Sequence, residues 1–228
     1  MHIRQIYKNL FRTALGAGMA MLGMLLTSLF AANHITQQHF EFFSSSGVYA
    51  TELMEASGTL RIILSFDNAF VVLYAASFIF LFMALWHKEK TMNLIAGLVA
   101  VLATGLLDFY ENHHILTFIT MAEKGVSINA DDIANQMTLS QLKFHLSYLS
   151  FFLFAFSMPN NTFLEKLLKY SLFFLQLPIG VLVYTSPQHI KPVFEILRYS
   201  FMLGGLLLIA YNFYLLSKKE TVSILPAA

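Results

Sequence analysis

The sequence predicts an all-α, polytopic integral membrane protein built as a bundle of six transmembrane helices. Of the 228 residues, 57% are hydrophobic and only 12% are charged, and the mean hydropathy is +0.64. An average soluble domain has roughly 45–50% apolar and about 25% charged residues. Because too few polar side chains remain to cover a water-facing surface, the composition excludes a soluble enzyme, a disordered segment and a nucleic-acid binder.

Six stretches are apolar and long enough to cross a bilayer, which requires about 20 residues each. Continuous apolar runs, without the period-two alternation of barrel strands, predict that all six are helices. Pro159 follows the fourth stretch, Pro187 and Pro192 bracket the turn between the fifth and sixth, and Pro178 inside the fifth predicts a kink. The stretches are residues 10–32, 62–86, 92–117, 139–158, 167–185 and 193–216.

The first span either stays in the protein as an anchor or is a signal peptide that is cleaved. Retention is favoured, because its apolar run exceeds the usual length of about 7–15 residues and Phe30 interrupts the small-residue pattern before Ala32. Gly16, Gly18 and Gly23 then predict a face on which the first span packs closely against other helices.

The segment between the first two spans, residues 33–60, is longer than a turn. It contains a break at Ser44-Ser45-Ser46-Gly47, followed by helical spacing of apolar residues from Tyr49 to Ala56. This pattern predicts a short interfacial helix or a cap over the bundle. The other loops lack repeats and low-complexity tracts, so residues 1–228 are predicted to form a single membrane domain.

The distribution of positive charge predicts that both termini lie in the cytoplasm, in a bacterial inner membrane. Cytoplasmic loops of membrane proteins carry an excess of Lys and Arg. The formal net charge of +1 gives no field that would attract a polyanionic partner. If the N-terminus is inside, the inner segments hold nine of the fourteen positive residues: Arg4, Lys8, Arg12, Lys88, Lys90, Lys166, Lys169, Lys218 and Lys219.

Ionisable residues within the spans gather in one layer, in the outer half of the predicted bundle. Placing a charge at mid-membrane costs roughly 2.5–3.5 kcal/mol, so such residues are functional candidates by default. The deepest acids are Asp67 in the second span and Asp108 and Glu111 in the third, and we predict that they act as acid or base. Lys143 opens the fourth span and Arg198 opens the sixth, and both are predicted counter-charges.

The favoured hypothesis is a pocket that binds or modifies an amphiphilic or lipid-like ligand at the outer side. Lys143 and Arg198 would hold an anionic head group, while Asn68 and Tyr74 beside Asp67 would add ligand contacts. The expected partners are therefore membrane lipids and an amphiphilic small molecule. Whether the protein is an enzyme stays open, because no nucleophile motif or phosphate-binding loop is present in the sequence.

Two alternatives belong to other classes of function. The charges can form a structural ion-pair network in a non-catalytic scaffold, since buried ion pairs are often retained without adding stability. They can also serve a proton- or cation-coupled carrier, although the sequence lacks the inverted repeats typical of transporters.

A metal cofactor is the weakest of the hypotheses about the charged layer. Glu111 and His114 have the Glu-x-x-His spacing of carboxylate-bridged metal bundles, and His145 could complete such a set. A full site of that kind needs a second motif of the same spacing, and the sequence contains only one. The cofactor is therefore left unknown, and no metal is favoured.

Overall fold

The computed structural model describes residues 2–32, 34–42, 44–88, 91–187 and 189–222, with side chains described as far as Lys219. Within these residues the protein is helical and contains no strand, which confirms the predicted all-α class. The elements are α1 (Ile3–Phe30), a short 3-10 helix (Gln37–Glu41), α2 (Ser46–Trp86), α3 (Met92–Glu123), α4 (Ala130–Ser157), α5 (Phe163–Phe174), α6 (Gln176–Thr185) and α7 (Lys191–Val222).

Five helical segments among the described residues are long and apolar enough to cross a membrane. The fourth predicted span lies within α4, which has 28 residues but is not one of the five. The polar side chains of Gln136, Ser140 and Lys143 lower the hydropathy of this helix, although all three are buried. The five segments are Ile3–Phe30, Ser46–Trp86, Met92–Glu123, Phe163–Thr185 and Lys191–Lys219.

Helix α2 differs from the prediction, because the expected interfacial helix and the second span form one continuous helix of 41 residues. Gly58 does not interrupt it, since a single glycine costs only about 1 kcal/mol in a helix. Ala56, Leu60 and Leu64 continue a buried stripe at four-residue spacing across the glycine. At 1.5 Å per residue the helix is about 61 Å long, roughly twice the thickness of a bilayer's hydrocarbon core.

The fifth predicted span consists of two short helices, α5 and α6, separated at Leu175. Pro178 lies in the first turn of α6 and has no N–H with which to bond the carbonyl of Phe174, so the helical ladder is interrupted there. At the other end of α5, the Thr162 hydroxyl accepts a hydrogen bond from the Glu165 amide at 3.2 Å, and the Glu165 carboxylate accepts one from the Thr162 amide at 3.0 Å. This reciprocal capping box fixes where α5 begins.

The chain divides into two compact units, and the single membrane domain over residues 1–228 stays a prediction. The first unit comprises Met1–Gly18, Leu73–Leu102 and His145–Ala228, and the second comprises Met19–Val72 and Ala103–Phe144. The sequence contains no linker that marks this division, because α1, α2, α3 and α4 each contribute residues to both units.

Small residues allow close helix packing inside the first unit. A Cβ added to Gly97 of α3 would lie 3.1 Å from the Phe154 ring of α4, and one added to Gly180 of α6 would overlap the Tyr148 ring. The Ser150 hydroxyl donates a hydrogen bond of 2.8 Å to the Gly97 carbonyl, which joins α4 to α3. A side chain at position 180 would therefore clash with Tyr148, and one at position 97 would require the Phe154 ring to shift slightly.

The second unit has its own apolar core, built where α2, α3 and α4 meet the 3-10 helix. The Tyr49 ring lies edge-to-face with Phe40 at 5.5 Å and with Phe118 at 5.8 Å between ring centroids. This core supports the polar residues described next. Its buried members are Phe40, Tyr49, Leu53, Ala56, Leu60, Leu64, Ile115, Phe118, Ile119, Ile128 and Ile133.

Candidate functional site

A group of buried charged side chains lies in the second unit, and we call it the Lys143 cluster. It is composed of Lys143 and four carboxylates, all of them at most 7% exposed. Two of the carboxylates, Asp108 and Glu111, are three residues apart, and residues three or four apart lie on one face of a helix. The carboxylates are Glu41 of the 3-10 helix, Asp67 of α2, and Asp108 and Glu111 of α3.

Lys143 is the centre of the cluster. Its Nζ lies 2.9 Å from Asp108 Oδ1, 3.0 Å from Glu111 Oε1 and 3.8 Å from Glu41 Oε1. The first two distances are those of charge-assisted hydrogen bonds, whereas the third is an ion-pair contact without a short hydrogen bond. The single ammonium group of Lys143 is therefore shared by three carboxylates, one on the 3-10 helix and two on α3.

Glu111 is fully buried, and both of its carboxylate oxygens accept hydrogen bonds. Besides Lys143, the Gln37 Nε2 donates to Oε1 at 3.3 Å, and the Ser140 hydroxyl donates to Oε2 at 2.8 Å. Ser140 lies one turn before Lys143 on α4, so a single face of α4 holds both oxygens. Such an arrangement fixes the position of the Glu111 carboxylate.

Amide side chains connect Asp67 to the rest of the cluster. The Asp67 carboxylate is hydrogen-bonded to the side chains of Asn112 and Gln37 and interacts electrostatically with Asp108 and Lys143. The Gln37 amide donates to Asn112 Oδ1 at 2.9 Å, and Asn112 Nδ2 donates to Asn68 Oδ1 at 3.1 Å. Asp67 thus joins the cluster through neutral donors, without a direct ion pair to Lys143 in the described contacts.

The cluster contains more acidic than basic groups. Four buried carboxylates face one buried lysine, so full ionisation would leave three uncompensated negative charges inside this unit. Burying an unpaired ionised carboxylate costs several kcal/mol even after relaxation of the surroundings. Protons held on some of the carboxylates would reduce this excess.

The structure brings together four of the residues nominated from the sequence: Asp67, Asp108, Glu111 and Lys143. Asn68 joins them through Asn112, as described above. Their chemical roles stay predictions, since a contact does not establish an activity.

Two other nominated residues, Tyr74 and Arg198, belong to the first unit. Arg198 is 1% exposed, and its Nη1 donates a hydrogen bond of 3.4 Å to the Tyr184 hydroxyl. Lys143 contacts carboxylates as expected of a counter-charge, and the role of Arg198 as a second counter-charge stays a prediction.

Arg61, the basic residue at the outer end of the second predicted span, pairs away from the cluster. Its Nη2 lies 2.8 Å from Glu123 Oε2, and both side chains are more than 40% exposed. An exposed pair of this kind contributes little, about 0–1 kcal/mol.

The two histidines proposed as metal ligands lie in different units, His114 in the second and His145 in the first, and each contacts a residue outside the proposed ligand set. His114 Nδ1 lies 2.7 Å from Gln136 Oε1, and the His145 ring stacks on Tyr184 at 5.9 Å between centroids. Across the part of the chain that is described, no group of three or more His, Asp or Glu side chains has the arrangement to hold a metal ion.

Sequence reasoning did not select several polar residues of the site. Gln136, Ser140 and Lys143 follow the i, i+4, i+7 spacing of one helical face, which is a signal that could have been extended backwards from Lys143. Gln37 and Glu41 lie in the segment that was predicted to be an interfacial helix or a cap over the bundle, and neither was selected as a site residue. Asn112, adjacent to Glu111, is fully buried as well.

A shallow groove elsewhere in the second unit, along the second half of α3, is lined by His113, Thr117 and Lys124 among others. None of the Lys143 cluster residues lines it.

Comparison with protein-family models, with curated proteins and with solved structures gave no match for this chain. The interpretation of the site therefore depends on its own geometry.

Proposed function

We propose that this is an integral membrane protein whose Lys143 cluster binds and exchanges protons, as in a proton-coupled carrier. The observation that carries the proposal is the excess of buried carboxylates over buried amines in one compact unit. Asp108, Glu111 and Glu41 share one lysine, and Asp67 adds a fourth acid through neutral amides. Intramembrane carboxylates that alternate between protonated and paired states are typical of ion-coupled membrane proteins.

The membrane location is suggested by the five apolar helices, and we propose α4 as a sixth span. At 28 residues α4 is about 42 Å long, enough to cross a hydrocarbon core of about 30 Å. Its polar residues reduce its hydropathy but are buried against protein, which is how polar groups are tolerated in membrane helices. Six spans place both termini on one side, and the positive charges favour the cytoplasmic side of a bacterial inner membrane.

A proton fits this site better than the anionic head group of an amphiphile does. Lys143, the group expected to bind such a head group, already contacts three carboxylates. An anion approaching Lys143 would meet the repulsion of those carboxylates in a region of low dielectric constant. The amphiphile hypothesis is therefore the less favoured of the two.

A purely structural ion network accounts for the excess of buried acids less well than an exchange site does. A network whose role is to fix helix register gains most when its charges balance, because each unpaired buried charge is destabilising. Here the acids outnumber the base in the described unit, so the folded state is linked to the uptake of positive charge. That linkage is what an exchange site requires.

The experiment measures thermal stability of the purified protein in detergent across pH, comparing wild type with Asp67→Asn. If the folded cluster holds protons that the unfolded chain releases, stability is present at low pH and is lost as pH rises. Asp67→Asn removes one acid without touching the three contacts of Lys143, so its stability should fall less at high pH. Asp131→Asn, which removes an exposed acid of the same unit, is the matched control and should follow wild type.

Salt composition separates protons from other cations. Sodium, potassium or calcium chloride, each compared with choline chloride at equal ionic strength, should restore stability at high pH only if that cation replaces protons in the cluster. If Asp67→Asn and Asp131→Asn give the same pH profile as wild type, the exchange proposal is wrong and the structural network is favoured. A lipid that co-purifies with wild type and is lost from Asp67→Asn would instead support the amphiphile hypothesis.

A further inference from the structure

The segment of residues 34–42, which we call the strap, supplies two polar side chains to the Lys143 cluster. Gln37 is 8% exposed and Glu41 is 2% exposed, and both belong to the short 3-10 helix inside the strap. Gln37 donates to Glu111 and Asn112, while Glu41 faces Lys143. The strap is thus part of the cluster and also part of what covers it.

The strap is fastened to the first turns of α2 and to the apolar core of the second unit. The Tyr49 hydroxyl donates a hydrogen bond of 3.3 Å to the Phe40 carbonyl, and the Phe40 ring is buried against the Tyr49 ring. On the exposed side, His39 Nε2 lies 3.0 Å from Glu52 Oε2. The strap has only a short 3-10 helix, whose hydrogen-bond geometry is poorer than that of an α-helix, so its backbone resists opening less than the long helices around it do.

The contacts of the strap with Lys143 and Glu111 are longer than those that α3 and α4 make with the same two residues. Glu41 lies 3.8 Å from Lys143 Nζ, whereas Asp108 and Glu111 lie at 2.9 and 3.0 Å. The hydrogen bond from Gln37 to Glu111, at 3.3 Å, is longer than the 2.8 Å bond from Ser140 to the same carboxylate. Opening the strap therefore breaks these longer contacts, together with the 2.9 Å bond from Gln37 to Asn112, and leaves the contacts between α3 and α4 in place.

We propose that the strap is the gate of the Lys143 cluster. When it moves away from α2, Glu41 and Gln37 withdraw, and the Glu111 carboxylate becomes accessible to small cations and to water. The identity of the exchanged species rests on the proposed function, but the opening of the strap can be measured without it.

The test uses cysteine accessibility, and the chain has no cysteine that would give background labelling. Ser140→Cys places a reporter thiol beside Glu111, and a small cationic methanethiosulfonate reagent probes it in the purified protein. Tyr49→Phe removes the hydrogen bond to Phe40 and is expected to raise the labelling rate about fivefold, the equivalent of about 1 kcal/mol. Glu52→Gln weakens the exposed pair with His39 and should raise the rate by a smaller factor.

Ser150→Cys is the matched control, because Ser150 is equally buried but belongs to the first unit. Its labelling rate should not change with Tyr49→Phe or Glu52→Gln. The gate is overturned if the loosening substitutions leave labelling at position 140 unchanged, or if they raise labelling at positions 140 and 150 alike.

Hydrogen–deuterium exchange gives a second measurement that needs no substitution in the cluster. Peptides covering the strap should exchange faster in Tyr49→Phe than in wild type, while peptides from α3 should not change. Equal exchange in the two proteins would refute the gate. Failure of the proposed function appears separately, as a pH profile that Asp67→Asn does not alter, and the labelling result does not depend on it.

Discussion

Lys143 is the counter-ion of three carboxylates, so the consequences of changing it differ from those at any exposed lysine. Its side chain is 5% exposed, while the carboxylates around it come from the strap and from α3. Removing one partner of a buried ion pair leaves charges uncompensated, which is more destabilising than losing the pair itself. The sequence nominated Lys143 both as a counter-charge for the deep acids and as a contact for an anionic head group, and the described contacts are with the acids.

Lys143→Met should lower the free energy of unfolding by about 3–5 kcal/mol, because the acids around it lose their ammonium partner. Denaturant unfolding of the purified protein in detergent measures the change. Lys124→Met, at an exposed position in the same unit, should change stability by less than about 0.5 kcal/mol. Similar small effects for both substitutions would contradict the assignment of Lys143 as the counter-ion.

Individual helices are stabilised by end caps and by close contacts with other helices, and the sequence indicates only the caps. The capping box of α5 follows from Thr162 and Glu165, three residues apart. The close approach of α6 to α4 at Gly180 is different, because nothing near Gly180 in the sequence identifies Tyr148 as its neighbour.

Gly180→Ala should be destabilising by about 1–3 kcal/mol, since the added methyl group would overlap the Tyr148 ring. Gly204→Ala on α7 is the control, because no atom lies within 4 Å of the position that its Cβ would occupy. That substitution should be neutral or stabilising by up to about 1 kcal/mol through helix propensity. Melting temperatures in detergent compare the two variants, and equal changes would argue against the close α4–α6 contact.

Thr162→Ala should cost about 1 kcal/mol, because the first turn of α5 loses its side-chain cap. Thr138 lies inside α4, where its hydroxyl donates a hydrogen bond of 3.0 Å to the Ala134 carbonyl, so Thr138→Ala removes no cap. Thermal unfolding of both variants gives the comparison. If Thr138→Ala is as destabilising as Thr162→Ala, the capping box does not stabilise α5.

For the molecule as a whole, the open question of topology is whether α4 crosses the membrane. Five spans would place the termini on opposite sides, and six would place them on the same side. Hydropathy alone favours five, because it counts the buried Gln136, Ser140 and Lys143 as if they faced lipid. Six spans are our proposal, because these three residues are buried.

Reporter fusions decide between the two topologies. Alkaline phosphatase fused at Ala130 should be active with either count, provided that the N-terminus is inside. A fusion at the C-terminus should be inactive if six spans are present, and a green fluorescent protein fused there should fluoresce. An active phosphatase at the C-terminus would support five spans and remove α4 from the membrane.

The composition and the apolar runs were sufficient to predict an all-helical chain, and the structure confirms that class. The boundaries were less well predicted. The break at Leu175 has a local cause, since Pro178 predicts a kink there, whereas the continuity of α2 through Gly58 goes with the buried stripe that runs across the glycine. The spacing of apolar residues predicts which face of a helix is buried, but it does not predict the residue at which the helix ends.

The sequence by itself determined which residue types lie in the apolar helices and that Asp67, Asp108, Glu111 and Lys143 stand out among them. Only the tertiary structure decided which charges meet. It brought Glu41 and Gln37 of the strap to Lys143, and it placed Arg198 with Tyr184 in the other unit. The reason is physical: helical periodicity is local, whereas pairing between buried charges depends on contacts between segments that are distant in the chain.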